Sequence, residues 1–396
     1  MSWTSQTLDQ LGYLSRGRSR HRPRDAVHLY GGPYPFIQTG DVKHAGLYVR
    51  DYQQTYSEAG LQQSSLWPAG TLCITIAANI ADTAILGIDA CFPDSVIGFI
   101  PDEKKADARF VKYLFDATIQ QRVKQFTQGA AQDNLSQEKL LSIDFSVPNV
   151  DEQKRIASIL SAYDDLIENN RRRIHLLEQA ARLLYKEWFV HLRFPGHEHA
   201  KIKDGVPEGW KKMALSDLCM EIRESVSPTA FEPDTPYIGL EHMPRRSISL
   251  GEWGTAEQVT SSKHRFRENE ILFGKIRPYF HKVGIAFTDG VASSDSIVIR
   301  PLDGGLMPLV LMIVSSDGFV AVTAQTMKEG SKMPRADWKQ MQQYIVPLPS
   351  DGLSSMFNSV IEPIIQQLKT LSFANRKLST ARDLLLPRLM NGAVVV

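Results

Sequence analysis

The sequence predicts an α+β chain. Two similar α/β units are each followed by a long helix, and the two helices pair with each other as a coiled coil. Three observations carry this. First, the chain repeats itself. Trp3, Leu8 and Leu11 recur as Trp210, Leu215 and Leu218, and Pro35-Phe36-Ile37 recurs as Pro236-Tyr237-Ile238. Leu66, Leu72 and Ile76 recur as Phe266, Leu272 and Ile276. Gly129 and Leu177 recur as Gly330 and Leu378, an offset of 201, about half of the 396 residues. A repeat that long is a duplicated domain and not a solenoid, whose repeats run to roughly 20–50 residues. Second, each half ends in a long stretch of heptad spacing. Third, the rest of each half is made of short apolar runs punctuated by Gly and Pro, the pattern of strands and turns.

The parts fall at 1–149, 150–192, 193–209, 210–349 and 350–396. The mixed parts are the first and fourth. Within them Leu72-Cys73-Ile74-Thr75-Ile76 and Ser296-Ile297-Val298-Ile299 read as strands, and residues 107–126 as an amphipathic helix. The first long helix carries Leu160, Tyr163, Ile167, Asn170, Ile174, Leu177, Ala181, Leu184 and Trp188, in steps that alternate 3 and 4. That alternation is a coiled-coil seam. The same seam in the second half reads Ile361, Ile364, Leu368, Leu371, Asn375, Leu378, Arg382, Leu385 and Leu389. Matched seams of equal length imply that the helices pair, giving a pseudo-two-fold arrangement. Asn170 and Asn375 lie on the seams, where an Asn fixes register at some loss of stability. Arg382 does likewise or caps an end.

Asp151 is expected to precede the first helix, with Glu152 in its first turn, where the helix dipole favours an acid. Asp351 and Ser354 are expected to cap the second. Pro363 predicts an early kink, Pro387 a disturbed end, and Gly392 the stop. Residues 193–209, rich in Pro, Gly, His and charge, read as the linker.

Composition is that of an ordinary globular protein, with 43% hydrophobic and 22% charged residues. No apolar run reaches the roughly 18 residues of a membrane span, and the first residues do not read as a signal peptide. Cys73, Cys91 and Cys219 are odd in number and scattered, which fits a reducing cytoplasm and no metal spacing. A net charge of +1 leaves any phosphate-binding surface to a local patch.

No catalytic constellation stands out. Phosphate loop, dinucleotide fingerprint and nucleophile elbow are all missing, as is the Asn-Pro-Pro-aromatic signature of amino-methyltransferases. His197-Glu198-His199 reads as a solvated loop, with no third metal ligand nearby. Asp164-Asp165 reads as a solvated helix face.

Binding chemistry is present. Arg16, Arg18, Arg20, Arg22 and Arg24 alternate, so on an extended backbone they share one face. Five guanidiniums on one face repel one another unless an anion neutralises them, and arginine bonds phosphate and guanine edges in bidentate fashion. The second half has weaker basic clusters: Arg245-Arg246, Lys263 to Arg267, and the stretch from Lys275 through Arg277 to Lys282, where cations alternate with Tyr279 and Phe280.

Three further stretches resemble the specificity subunits of type I restriction-modification systems. One runs from Gly129 through Gln132, Asn134 and Val147-Pro148 to Glu152-Gln153 and Leu160. It is similar to the end of a target-recognition domain entering a spacer helix. Another, Leu384 to Gly392, is similar to the closing helix of that family. The third runs from Arg18 through Tyr30 to Val42 and is similar to one recurring recognition domain. The second copy departs, with Gly330-Ser-Lys332-Met-Pro-Arg335 where the first has Gln-Asp-Asn.

The resemblance implies a non-catalytic subunit whose two recognition domains (1–149 and 210–349) each read half of a split DNA sequence. It implies an antiparallel coiled coil that spaces the domains and docks two methyltransferase subunits. S-adenosylmethionine, ATP and magnesium would belong to the partners: adenine methyltransferases and restriction/translocase subunits. No cofactor or metal would sit on this chain, no membrane would be involved, and its place would be the cytoplasm. It adds Gln38, Thr39, Asp41, Gln132, Asn134, Lys332 and Arg335 to the DNA-binding candidates Arg16, Arg18, Arg20, Arg22, Arg24, Arg245, Arg246, Lys275 and Arg277. The seam of Leu160 to Trp188 corresponds to roughly 43 Å of helix, a little over the roughly 34–36 Å of one duplex turn. The alternative is a coiled-coil scaffold that joins proteins without reading DNA.

Overall fold

The computed structural model describes residues 3–77, 80–120, 137–325, 334–394 and 396. The chain forms two compact units, Met1–Glu168 with Lys377–Val396, and Asn169–Arg376.

The first unit is built on a five-stranded sheet of β1 (Gly12–Arg16), β2 (Tyr48–Val49), β3 (Leu72–Thr75), β4 (Thr83–Leu86) and β5 (Val96–Pro101), in the order β1-β5-β3-β4-β2. Neighbours are antiparallel except the β4–β2 pair. The central strand β3 is buried along its whole length. Its alternate side chains serve two cores: Leu72 and Ile74 pack with Phe99, Phe110 and Phe115, while Cys73 packs with Trp67 and Phe92. The helix Ala108–Phe115 covers the first of these faces. Asp107 starts it, accepting the N–H groups of Arg109 and Phe110. A π-turn, Asp116–Gln120, follows. The helix expected over 107–126 is thus α then π as far as 120, and its last part lies outside the described residues.

The second unit repeats this sheet with β6 (Cys219–Ile222), β7 (Ser249–Leu250), β8 (Ile271–Gly274), β9 (Val283–Ala286) and β10 (Ser296–Pro301). Their order is β6-β10-β8-β9-β7, the same path, again with a single parallel pair at β9–β7. Helix Met307–Val314 takes the place of Ala108–Phe115. A second sheet of five strands adjoins it, and its parallel Tyr237↔Val291 pairing has its counterpart in the Phe36↔Cys91 bridge of the first unit. One correspondence drawn from the sequence is a residue out. Leu72 pairs with Phe99 and Ile271 with Ile299, so the equivalent of Leu72 is Ile271, and Leu272 faces the other core with Phe266 and Val298. A slip of one residue in a strand exchanges its two faces.

The long helices are α1 (Val150–Tyr185), extended by a π-turn over Lys186–Val190, and α2 (Asp351–Met390). In the first unit Ile156, Ala157 and Leu160 near the start of α1 share a core with Leu389 and Met390 at the end of α2. In the second unit Trp188 and Phe189 beyond α1 lie 5.8 and 4.9 Å from Phe357 near the start of α2. Within each unit the start of one helix meets the end of the other, so the pairing is antiparallel.

Of the sequence's seam residues, Leu160, Ile167, Asn170, Ala181, Trp188, Ile361, Leu368, Leu371, Asn375 and Leu389 are buried. Tyr163, Ile174, Leu177, Leu184, Ile364, Leu378, Arg382 and Leu385 are half-buried. The buried stripe is wider than a two-helix seam, because Ile156, Ala157, Phe357 and Ile365 also face the globular cores.

Several end signals differ from expectation. Asn149, and not Asp151, caps α1, its Oδ1 accepting the Glu152 N–H at 3.0 Å. Ser354 lies inside α2, where its N–H donates to the Ser350 carbonyl. The helix is continuous through both Pro363 and Pro387 to Met390. Gly392 then turns the chain at φ +72°, and the Val394 N–H reaches back to the Arg388 carbonyl at 3.2 Å. Residues 193–209 are more than a tether. Ile202–Lys203 pairs with Val206–Pro207 around a turn with positive φ at Asp204 and Gly205, and Phe194 is buried at 5.0 Å from Trp210.

Asp164 is a correction of chemical kind. It is 8% exposed and not a solvated face: one carboxylate oxygen accepts from the Tyr113 hydroxyl, the other from the Arg382 guanidinium. Burial and the adjacent Asp164 charge push the Tyr113 hydroxyl up. For Arg382, burial acts to lower the guanidinium, but Asp164 and Asp383 outweigh it and hold the charge. The heptad pattern assigned Asp164 outward because it lies beside the seam, yet Arg382 of the partner helix and Tyr113 of the globule both reach it.

Candidate nucleic-acid interface

In the first unit the Arg run leaves the sheet at β1. Gly17 and Ser19 are buried, and Arg16, Arg18 and Arg20 between and beside them are exposed, as an extended backbone dictates. The inward residues are held by the backbone: Gly17 N–H donates to the Val96 carbonyl at 2.9 Å, and Arg18 N–H to the Phe92 carbonyl at 3.1 Å. A side chain at Gly17 would meet the Phe92 and Pro93 carbonyl oxygens at 2.4 Å, so the close approach requires glycine.

The five guanidiniums do not form one uncommitted face. Arg24 forks onto Asp94 with bonds of 3.0 and 2.8 Å, and Arg16 Nε donates to the Asp94 carbonyl at 3.0 Å. Arg22 folds back onto the carbonyls of Ser19 and His21 at 2.7 and 2.8 Å. Arg18 and Arg20 alone have no partner among the described residues. The expected mutual repulsion is therefore relieved by one carboxylate and the chain's own carbonyls, and two arginines remain to meet an external anion.

Gln38 and Asp41 are partly committed as well. The Gln38 side chain donates to Gln54 at 2.7 Å, and Asp41 accepts the Gln38 N–H at 2.8 Å, starting the helix Thr39–His44 with Thr39 as its first residue. Gln132, Asn134 and Lys332 lie outside the described residues.

In the second unit the candidates converge on one turn, residues 275–281. Arg245 lies 4.1 Å and Arg277 5.8 Å from the Phe280 ring centre, two cations on one aromatic. Arg246 donates its N–H to the His281 carbonyl at 2.9 Å and pairs with Asp317 at 2.8 Å. Arg335 pairs with Asp295 at 3.0 Å, and Asp295 in turn accepts the Lys275 N–H on its carbonyl at 2.7 Å. Burial lowers the Lys275 ammonium, helped by Arg223 and Arg335 and opposed by Glu221 and Asp295. Arg277 and His281, at φ +48° and +54°, bracket the turn Pro278–Phe280, which leaves Tyr279 53% exposed.

Sequence reasoning missed Glu178, Arg182 and Asp317, which hold this turn's neighbours. The trace of Glu178 and Arg182 was a charge close to a seam, and Asp317, in the helix Asp317–Gln325, left none. The surface these residues form offers guanidinium, ammonium and aromatic faces, the donors and stacking planes that suit phosphates and bases. Among the described residues no group of three His, Cys, Asp or Glu could hold a metal ion, and no single helix is long and apolar enough to cross a membrane.

Residues 2–179 match the family model of the type I restriction modification DNA specificity domain. The whole chain aligns with the type I restriction enzyme MjaIX specificity subunit of Methanocaldococcus jannaschii, 22% identical over 100% of this chain and 94% of that one. The matched stretch gives residues 2–179 the character of a type I specificity domain. The EcoDI specificity subunit of Escherichia coli is 20% identical over 88% of this chain and 78% of its own. Among solved structures, a type I restriction-modification S subunit from M. genitalium superposes with a TM-score of 0.57 at 16% identity, covering 98% of this chain and 96% of that one. That likeness shows the fold. The second half, beyond the matched residues, carries the same strand order as the first.

Proposed function

We propose that this chain is the subunit that gives a type I restriction-modification complex its DNA sequence, with each unit reading one half of a split target. The carrying observation is that one sheet, with one strand order, occurs twice while its basic surface differs between the copies. The first copy presents Arg18 and Arg20 from an extended segment; the second presents Arg277 and Tyr279 from a strained turn with Arg245 beside it. Equal scaffolds with unequal surfaces suit two different half-sites. The paired helices α1 and α2 serve as spacer and as the seat for two methyltransferase subunits. Those partners supply S-adenosylmethionine and methylate adenine, and restriction subunits supply ATP- and magnesium-dependent translocation and cleavage. This chain's own contribution is positional: phosphate contacts fix register, base contacts choose the sequence. The complex works on the chromosome, in the cytoplasm.

The test is methylation mapping of a host genome with and without the gene, together with a footprint of the purified complex. A split motif of two unlike halves that vanishes on deletion is the expected result. Methylation that is unchanged by deletion, with no protected site, overturns the reading.

A further inference from the structure

Glu178 is a carboxylate buried within the second unit, 4% exposed. A buried charge is unfavourable unless hydrogen bonds satisfy it, and here four donors converge on a single oxygen. Its Oε1 accepts the Ser247 and Ser249 hydroxyls at 2.6 and 2.7 Å, and the Ile248 and Ser249 N–H groups at 3.0 Å each. One helical turn further along α1, Arg182 donates to the Arg246 carbonyl at 2.9 Å. Residues four apart share a helix face. Together, the acid takes the donors of segment 246–249 and the base gives to its acceptor, so both polarities of that backbone are gripped from α1.

The gripped segment leads directly to the candidate reading turn. Arg246 is held at φ +55°, its N–H on the His281 carbonyl and its guanidinium on Asp317. Arg245, next to it, lies over Phe280. The turn between Arg277 and His281 keeps two non-glycine residues in left-handed conformations, which persist only where surroundings impose them. At the repeat offset of 201, the equivalents of Glu178 and Arg182 are Ser379 and Asp383. In the first unit a serine and an acid of α2 thus stand where the second has Glu178 and Arg182 of α1.

We propose that Glu178 and Arg182 are positioning residues for target recognition: they fix the 245–249 segment on α1 and thereby aim the 277–281 turn, setting which bases the second unit accepts. This rests on the DNA-reading function proposed above.

The experiment is genome methylation mapping in cells carrying the full set of subunits, with wild type, Glu178→Gln, Glu178→Ala and Arg277→Ala. Glu178→Gln keeps an oxygen that accepts and should leave the motif as in wild type. Glu178→Ala should relax one half of the motif, with discrimination there falling on the order of tenfold, and that half should be the one Arg277→Ala relaxes. The other half should stay unchanged. If Glu178→Ala does not accumulate, Arg182→Met, which removes one donor only, should relax the same half. An unaltered motif in Glu178→Ala, or equal weakening of both halves, overturns the positioning role. A wild type without any split motif instead overturns the function on which the role rests.

Discussion

Asn170 donates its side-chain amide to the Asn375 oxygen at 3.0 Å, and both residues are buried on the facing seams of α1 and α2. In the repeat Asn170 corresponds to Leu371, and Asn375 to Ile174. A helix paired in this register with a copy of itself would oppose Asn to an apolar side chain. The amide pair thus favours the joining of unlike halves. Asn170→Ala should lower stability by about 1–3 kcal/mol, because it strands the Asn375 amide. Replacing both by Leu should restore most of that loss. Urea unfolding of Asn170→Ala, of Asn170→Leu, of Asn375→Leu and of the double Leu variant checks this; additivity among the three Leu variants would show that the amides do not interact.

The pairing of Asp164 with Arg382 makes the same discrimination with charge. Breaking a buried ion pair from one side leaves an uncompensated charge, so Arg382→Met should destabilise by about 3–5 kcal/mol. Asp164→Leu combined with Arg382→Met should recover much of it. Tyr113→Phe removes only a donor to Asp164 and should cost about 1 kcal/mol. Thermal unfolding of the three variants ranks them, and equal effects for Arg382→Met and Tyr113→Phe would contradict the arrangement.

Among the described residues the Arg18 and Arg20 side chains have no partner, whereas Arg24 is tied to Asp94. Arg18→Ala should weaken DNA binding by about 1–3 kcal/mol if it reads a base edge, or lower the salt slope by about one if it meets a phosphate. Titrations of the complex at several salt concentrations separate the two outcomes. Unchanged binding in both Arg18→Ala and Arg20→Ala would remove the run from the interface.

His281 supplies a pH dependence. Burial holds its imidazole below the ordinary histidine value. Arg182 and Arg246 add to the lowering, while the hydrogen bond to the Ser315 carbonyl and the Asp317 charge oppose it. As pH falls the unfolded chain therefore takes up this proton before the folded one does. The stability contribution is full above about pH 6.5 and is lost as pH drops toward the folded-state value. Chemical denaturation between pH 5 and 8 should show a fall on the acid side that flattens in His281→Gln. An identical profile for the two proteins would place the titration elsewhere.

Much of the fold was legible because periodicity survives in a linear string. The seams from Leu160 to Trp188 and from Ile361 to Leu389 repeat every three or four residues, and that spacing depends only on helix geometry. The strands Leu72–Thr75 and Ser296–Pro301 show as short apolar runs for a similar reason. The alignment of Leu72 with Leu272 slipped by one, since an entirely buried strand has no polar alternation to mark its faces. The candidate interface was legible as composition only. Five alternating arginines announced a basic segment, but Asp94, which binds two of them, lies 70 residues from Arg24.

By itself, then, the sequence determined the duplication, the paired helices and which segments carry positive charge. All three are written in local spacing or in self-comparison. Tertiary structure alone decided that Asp164 is buried with Tyr113 and Arg382, that Glu178 grips Ser247 and Ser249, and that, among the described residues, only the Arg18 and Arg20 side chains of the run have no partner. Whether a charge is solvated or paired depends on what folding brings within about 3 Å of it, and no spacing along the chain records that distance.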